Sequence, residues 1–103
     1  MINRDQKILN LLGLARRAGE LVTGEEMVLK SIQHGQTKLV FLAQDAGIAT
    51  QKKFRDKCQS YQVTLCQRYT RNELSQAIGQ SRSVLAITQM GFTKKMNQLL
   101  NQN

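Results

Sequence analysis

The chain has 103 residues, 41% of them hydrophobic, which is one domain's worth of sequence with enough apolar material for a core and no need of a disulfide staple. Fifteen Lys and Arg against seven Asp and Glu leave a formal net charge of +8. That excess favours a polyanionic partner, nucleic acid first and an anionic membrane surface second, although no basic helix shows the large aromatic face a membrane would want; a solvated basic surface with no partner is the third reading. No apolar run is long enough for a transmembrane helix, and the segment Met1-Ile2-Asn3-Arg4-Asp5-Gln6-Lys7 has neither the apolar stretch nor the cleavage site of a signal peptide, so the expectation is a cytoplasmic protein.

In chain order, Asp5 to Ala18 reads as the first helix. Ile8, Leu9, Leu11, Leu12 and Ala15 recur at helical spacing, and Gly19 is a natural stop. Leu21-Val22 is a short strand. Thr23 then has the position of an N-cap for a second helix running to about Gln33, with Val28, Leu29 and Ile32 on its apolar face and Gly35 ending it. Leu39-Val40-Phe41-Leu42-Ala43 is a continuous apolar run, the mark of a strand covered on both faces. Asp45-Ala46-Gly47 turns the chain.

Thr50 is expected to cap a third helix to about Tyr61, with Phe54, Cys58 and Tyr61 as a narrow inner stripe and Lys52, Lys53, Arg55 and Lys57 crowding the outside. Val63 to Arg68 alternates like a strand. Thr70-Arg71-Asn72-Glu73 is a capping-box sequence that opens a fourth helix through Ile78, ended by Gly79. Val84-Leu85-Ala86-Ile87 is a last apolar strand, and Gly91 to about Leu100 a final helix carried by Phe92, Met96, Leu99 and Leu100, with Asn101-Gln102-Asn103 expected to fray. No linker or repeat interrupts residues 1–103, so they are expected to form one domain. About five helices and four strands, with two strands that must be covered on both sides, predict an α/β fold layered helix–sheet–helix.

Catalytic chemistry finds little support. The lone His34 sits beside Gly35 at a helix end, where an imidazolium suits the helix dipole better than it suits catalysis. Gly19 and Gly24 have the spacing of a phosphate-binding loop, but Glu25 and Glu26 stand where its Lys and Ser/Thr belong and would repel a nucleotide's phosphates. Cys58 and Cys66 match no zinc signature and read as two reduced, mostly buried thiols. The expectation is a protein that is not an enzyme and takes no metal or cofactor.

Two segments are candidates for binding. In Thr23-Gly24-Glu25-Glu26-Met27-Val28-Leu29-Lys30, a Thr23–Glu26 capping box and a Glu26–Lys30 pair account for the residue types without any ligand. The same residues also describe a helix N-terminus whose free N–H groups face an RNA, with Lys30 donating to guanine edges and Glu26 accepting from base amino or imino groups. In Gly79-Gln80-Ser81-Arg82-Ser83, small polar residues around one arginine suit either contact with RNA backbone and splayed bases or an ordinary surface loop. The basic Lys52–Lys57 stretch reads as a solvated face. Tyr61 and Tyr69 are stacking candidates, with Tyr61 assigned to the core.

With these residues in view the sequence resembles the kink-turn-binding ribosomal proteins, the group of the archaeal large-subunit proteins seven-Ae and thirty-e, and within it the bacterial YlxQ branch. The resemblance rests on Leu12-Gly13-Leu14-Ala15-Arg16-Arg17-Ala18-Gly19, Val22-Thr23-Gly24-Glu25-Glu26 with Lys30, Leu39 to Asp45, Lys57-Cys58, Glu73-Leu74, Ala77-Ile78-Gly79 and Ala86-Ile87, in that order and spacing. It implies a three-layer α/β/α sandwich around a four-stranded mixed sheet. It also implies a non-catalytic, ribosome-associated monomer that binds structured RNA, with ribosomal or translation proteins as further partners and no membrane. The implied RNA site is Thr23, Gly24, Glu25, Glu26, Met27 and Lys30 at the start of the second helix, with Gln80, Ser81, Arg82 and Ser83 in the loop before the last strand. The family's Asn-Glu pair, which reads the guanines of sheared G·A pairs, falls on Glu26-Met27, a change that opens an alternative role as a protein-interaction scaffold on ribosome assembly or translation factors.

Overall fold

The computed structural model describes residues 2–102. Among them the chain forms, in order, α1 (Arg4–Arg17), β1 (Leu21–Thr23), α2 (Glu25–Gln33), β2 (Leu39–Leu42), α3 (Ile48–Ser60), β3 (Thr64–Cys66), α4 (Arg71–Ile78), β4 (Val84–Ile87) and α5 (Met90–Leu100). The strands make one mixed sheet in the order β1-β4-β2-β3. β4 runs antiparallel to both neighbours, pairing Val22 with Ala86 on one side and Phe41 with Leu85 on the other. β2 and β3 are parallel, with Phe41 opposite Cys66. A parallel pair needs a crossover, and α3 supplies it.

The two central strands, β2 and β4, are buried at every residue, as their unbroken apolar runs predict. Helices cover both sides: α4 and α5 pack on α1, while α2 packs on α3, β1 and β4. The result is an α/β/α sandwich around a four-stranded mixed sheet. One core joins Ile8 and Leu12 of α1, Val28 and Ile32 of α2, Phe54 of α3, Leu74 of α4 and Met96 of α5 to the central strands. No helix among the described residues is long and apolar enough to cross a membrane.

Most helix boundaries agree with the sequence to within a few residues; the caps do not all agree. α4 has the full reciprocal capping box between Thr70 and Glu73, and Gly79 closes it in the left-handed conformation. α1 begins one residue early because Asn3 is its cap, its side chain accepting from the Gln6 N–H. Thr23, expected to cap α2, is instead the last residue of β1, paired with Leu85. The cap is Gly24, which makes no side-chain hydrogen bond, so the Thr23–Glu26 box does not form. Thr50 is likewise inside α3 rather than at its start: Gly47 is the cap, and the Gln51 amide donates to the Ala46 carbonyl at 2.6 Å, bracing that turn.

The two tyrosines exchange their expected places. α3 ends at Ser60, one residue before helical spacing would have turned Tyr61 inward, and Tyr61 is exposed. Tyr69 is buried, stacked on Phe41 with ring centroids 6.3 Å apart, and its hydroxyl donates to Asp5 at 2.9 Å. The expected strand from Val63 to Arg68 is ordered as a strand only over Thr64–Cys66. At the end of the chain Asn101 caps α5 and Arg4 donates to the Gln102 carbonyl, while Asn103 lies outside the described residues.

Candidate functional site

The two segments singled out in the sequence meet at one pole of the sheet. The Gly24 N–H donates to the Val84 carbonyl at 3.0 Å, tying the tip of α2 to the first residue of β4. Gly24 reaches this position with φ 89° and ψ 155°, a backbone region that is essentially glycine's alone. Arg82, two residues before Val84, lays its guanidinium along the same edge: Nε donates to the Thr23 hydroxyl at 3.3 Å and Nη1 to the Ser81 carbonyl at 2.8 Å. A Cβ placed on Gly24 would sit 3.8 Å from the Arg82 Nε.

The loop between α4 and β4 is held from both sides. Ser75 of α4 accepts from the Arg82 N–H at 3.0 Å and donates to the Arg82 carbonyl at 3.2 Å. The Ser83 carbonyl accepts from the Ala43 N–H at 2.7 Å. These bonds fix the Arg82 backbone to regular elements instead of leaving it on a loose tip.

Arg71, which the sequence showed only as a residue inside a capping box, belongs to this site. Its guanidinium donates to both the Ser83 and Ser81 hydroxyls, the latter at 2.8 Å. A cation in the first turn of a helix opposes the macrodipole, so the position is locally unfavourable unless something answers it. Asp45 does so by accepting from the Arg71 N–H at 2.8 Å, and the two serines orient the fork. That conflict with dipole preference was the one signal the sequence offered.

The remaining predicted residues divide. Glu26 is exposed and its carboxylate lies 3.6 Å from the Lys30 ammonium one turn on, the expected pair. Met27 is half exposed in the same first turn. Glu25 turns away toward α3, where Lys53 is 3.1 Å from its carboxylate and the Thr50 hydroxyl donates to it at 3.2 Å. Gln80 is bonded to α4 through its N–H to the Ser75 carbonyl, and its side chain accepts from Arg16 at the outer distance of 3.5 Å. Thr23, Gly24, Ser81, Arg82 and Ser83 are therefore brought together, with Glu26, Met27 and Lys30 continuing along the exposed face of α2.

Chemically, the pole offers an open helix N-terminus, two guanidiniums and several hydroxyls, all able to donate hydrogen bonds at one end of the sheet. No cluster of His, Cys, Asp and Glu that could hold a metal occurs among the described residues. Both cysteines are free and buried, and burial pushes the Cys58 thiol up to about 11.

The fold and the pole together define a small α/β/α domain whose second helix starts beside the loop that leads into β4. The chain belongs to the ribosomal protein L7Ae/L30e/S12e/Gadd45 family, whose model matches residues 6–97. It is 43% identical to an RNA-binding protein YlxQ of Enterococcus faecium over 95 residues, 92% of each chain. It is 44% identical to the RNA-binding protein YlxQ of Bacillus subtilis over 92 residues, 88% of this chain and 92% of that one. Among solved structures, a Bacillus halodurans protein described as of unknown function superposes with a TM-score of 0.88 at 47% identity, covering 93% of this chain and 98% of the other. A Giardia lamblia 15.5 kD RNA-binding protein shares the fold, with a TM-score of 0.77 at 20% identity over 93% of this chain and 89% of that chain.

Proposed function

We propose that this protein binds a bent, structured RNA of the kink-turn type in a ribosomal setting, working as a cytoplasmic monomer that grips its ligand without reacting with it. One observation carries the proposal: the tip of α2 and the Arg82 loop are joined edge to edge, through the Gly24 N–H to Val84 and the Arg82 Nε to Thr23. A straight duplex carries its phosphates on two regular strands wound about a single axis. A bent one can meet the helix tip, Lys30 and the guanidiniums of Arg71 and Arg82 at the same time. The names of the YlxQ relatives and the net charge of +8 support the same ligand class.

Gel-shift titration against a kink-turn RNA and a straight duplex at fixed salt tests it. The expected result is preference for the bent RNA, with Lys30→Ala and Arg82→Ala each costing about 1–3 kcal/mol of affinity for it. Equal affinity for the two RNAs overturns the bent-RNA reading. Met27, exposed in the first turn and unable to make a strong hydrogen bond, favours a second reading as a protein-interaction scaffold on assembling ribosomes. That reading expects retention on ribosomal particles after nuclease digestion, and release on digestion counts against it.

A further inference from the structure

The charges around the α2 tip are answered in two different ways. Its two acids each face a lysine: Glu26 lies 3.6 Å from Lys30 of α2, and Glu25 lies 3.1 Å from Lys53 of α3. Its arginines face neutral oxygens instead, Arg82 on the Thr23 hydroxyl and the Ser81 carbonyl, Arg71 on the Ser81 and Ser83 hydroxyls. A lysine ammonium is an undirected point charge that attracts any phosphate, whereas a guanidinium fork rewards a ligand with matching geometry. The Lys53 ammonium is thus paired by a carboxylate held at both oxygens, whereas the directional charge of the two arginines is left for a ligand.

Glu25 is the clearest case. Its carboxylate is held at both oxygens, by Lys53 on one and the Thr50 hydroxyl on the other, so it is aimed at α3. Both partners are about half exposed, at 47% for Lys53 and 48% for Glu25. Exposed pairs of this kind contribute only about 0–1 kcal/mol to stability. Their larger effect is on what a polyanion meets at this edge.

We propose that Glu25 is a specificity determinant: by holding the Lys53 ammonium beside the α2 tip, it suppresses binding of RNA that offers only phosphates. This rests on the RNA-binding reading above and extends it from which ligand is held to which is refused. A free lysine neutralises about one phosphate, and each phosphate neutralised steepens the dependence of log affinity on log salt by about 0.9. Between about 50 and 200 mM salt, one such contact is worth roughly a threefold change in affinity.

The test compares wild type, Glu25→Gln, Lys53→Ala and the double variant on a straight duplex across that salt range, with thermal melting of each protein to confirm folding. Glu25→Gln is expected to tighten duplex binding at low salt, steepen the salt slope by about 0.9, and do neither once Lys53 is alanine. An unchanged duplex affinity and slope in Glu25→Gln overturns the proposal. So does an equal gain with Lys53 absent, which would assign the effect to the carboxylate's own repulsion. The duplex arm reads Glu25 alone, while a wild-type protein that fails to prefer bent RNA overturns the proposed function instead, so the two failures are distinguishable.

Discussion

Gly24→Ala puts the strain of the α2 tip to a quantitative test. At φ 89° and ψ 155° a Cβ has ample room, its nearest contact being the Arg82 Nε at 3.8 Å, so the cost is in the backbone and not in a clash. Holding a non-glycine residue in that region costs about 1–3 kcal/mol. The tip has two ways to respond. If the Gly24 N–H to Val84 bond and the Thr23–Leu85 pairing hold it in place, the strain appears as lost stability, about 4–8 °C of Tm for each kcal/mol in a domain of this size. If the first turn of α2 swings to relieve the strain, the Tm falls less and RNA affinity falls by about tenfold, equivalent to about 1.4 kcal/mol. Thermal melting and RNA titration of the same variant therefore have to account for the strain between them. Gly35→Ala is the control: Gly35 also has positive φ, at 69°, with nothing within 4 Å of its added Cβ, but it lies beyond the far end of α2. It should lose about 1–2 kcal/mol of stability and keep its RNA affinity. A Gly24→Ala protein that melts and binds like wild type refutes the reasoning. Loss of RNA binding in Gly35→Ala as large as in Gly24→Ala would show that the α2 tip has no special part in the interface.

Three further outcomes are expected. Arg71→Ala should weaken binding of the bent RNA by about 1–3 kcal/mol, and Arg71→Lys should recover little of it, because a lysine cannot hold both serine hydroxyls in one fork; full recovery by lysine in a titration would leave Arg71 as charge alone. Gly13→Ala should destabilise the fold although alanine is the better helix former by about 1 kcal/mol. Its Cβ would lie 2.9 Å from the Ala77 carbonyl oxygen, a backbone atom that can give way only by parting α1 from α4, at about 1–3 kcal/mol; urea unfolding showing a gain refutes this. Asp5 is held below the ordinary carboxylate range chiefly by its hydrogen bond from Arg68, with Tyr69 adding to it against some desolvation. A depressed folded-state value means the stabilisation is fully present above the unfolded value near about 3.9 and is lost as pH falls through the folded one. The stability difference between wild type and Asp5→Asn should accordingly be constant at neutral pH and close at the acid end, and a difference that widens in acid contradicts the assignment.

The parts of the fold that the sequence revealed are those set by local pattern. The unbroken runs Leu39–Leu42 and Val84–Ile87, short and rich in branched residues, read as strands buried on both faces, and the Thr70–Glu73 box is complete within four residues. What escaped was decided by partners far along the chain. Thr23 has a good N-cap side chain, but pairing with Leu85 keeps it in the sheet and its hydroxyl goes to Arg82. Tyr69 gave no periodic signal, being outside any helix or strand, and its burial depends on Phe41 and Asp5. The same is true of the site. Gly24 and Arg82 were legible as motif residues, whereas the Lys53 that answers Glu25 and the serines that answer Arg71 are joined only by folding.

Glu25 and Glu26 show why such a site resists a reading residue by residue. As the first two residues of α2 they suit the helix dipole, each by about 0.3–1 kcal/mol. For a polyanion docking at that same helix end they are the wrong sign, so the preference that stabilises the helix works against the ligand. Removing both acids would make the tip attractive to every phosphate and weaken the helix as well. Pairing Glu25 with Lys53 and setting Glu26 one turn from Lys30 keeps the dipole term and offsets part of the repulsion, so that on the proposed function Arg71 and Arg82 are the charges a ligand satisfies by shape. On the proposed function, selectivity at this pole comes from where charge is paired as much as from where it is left open, a property of the folded arrangement that the net charge of +8 cannot express.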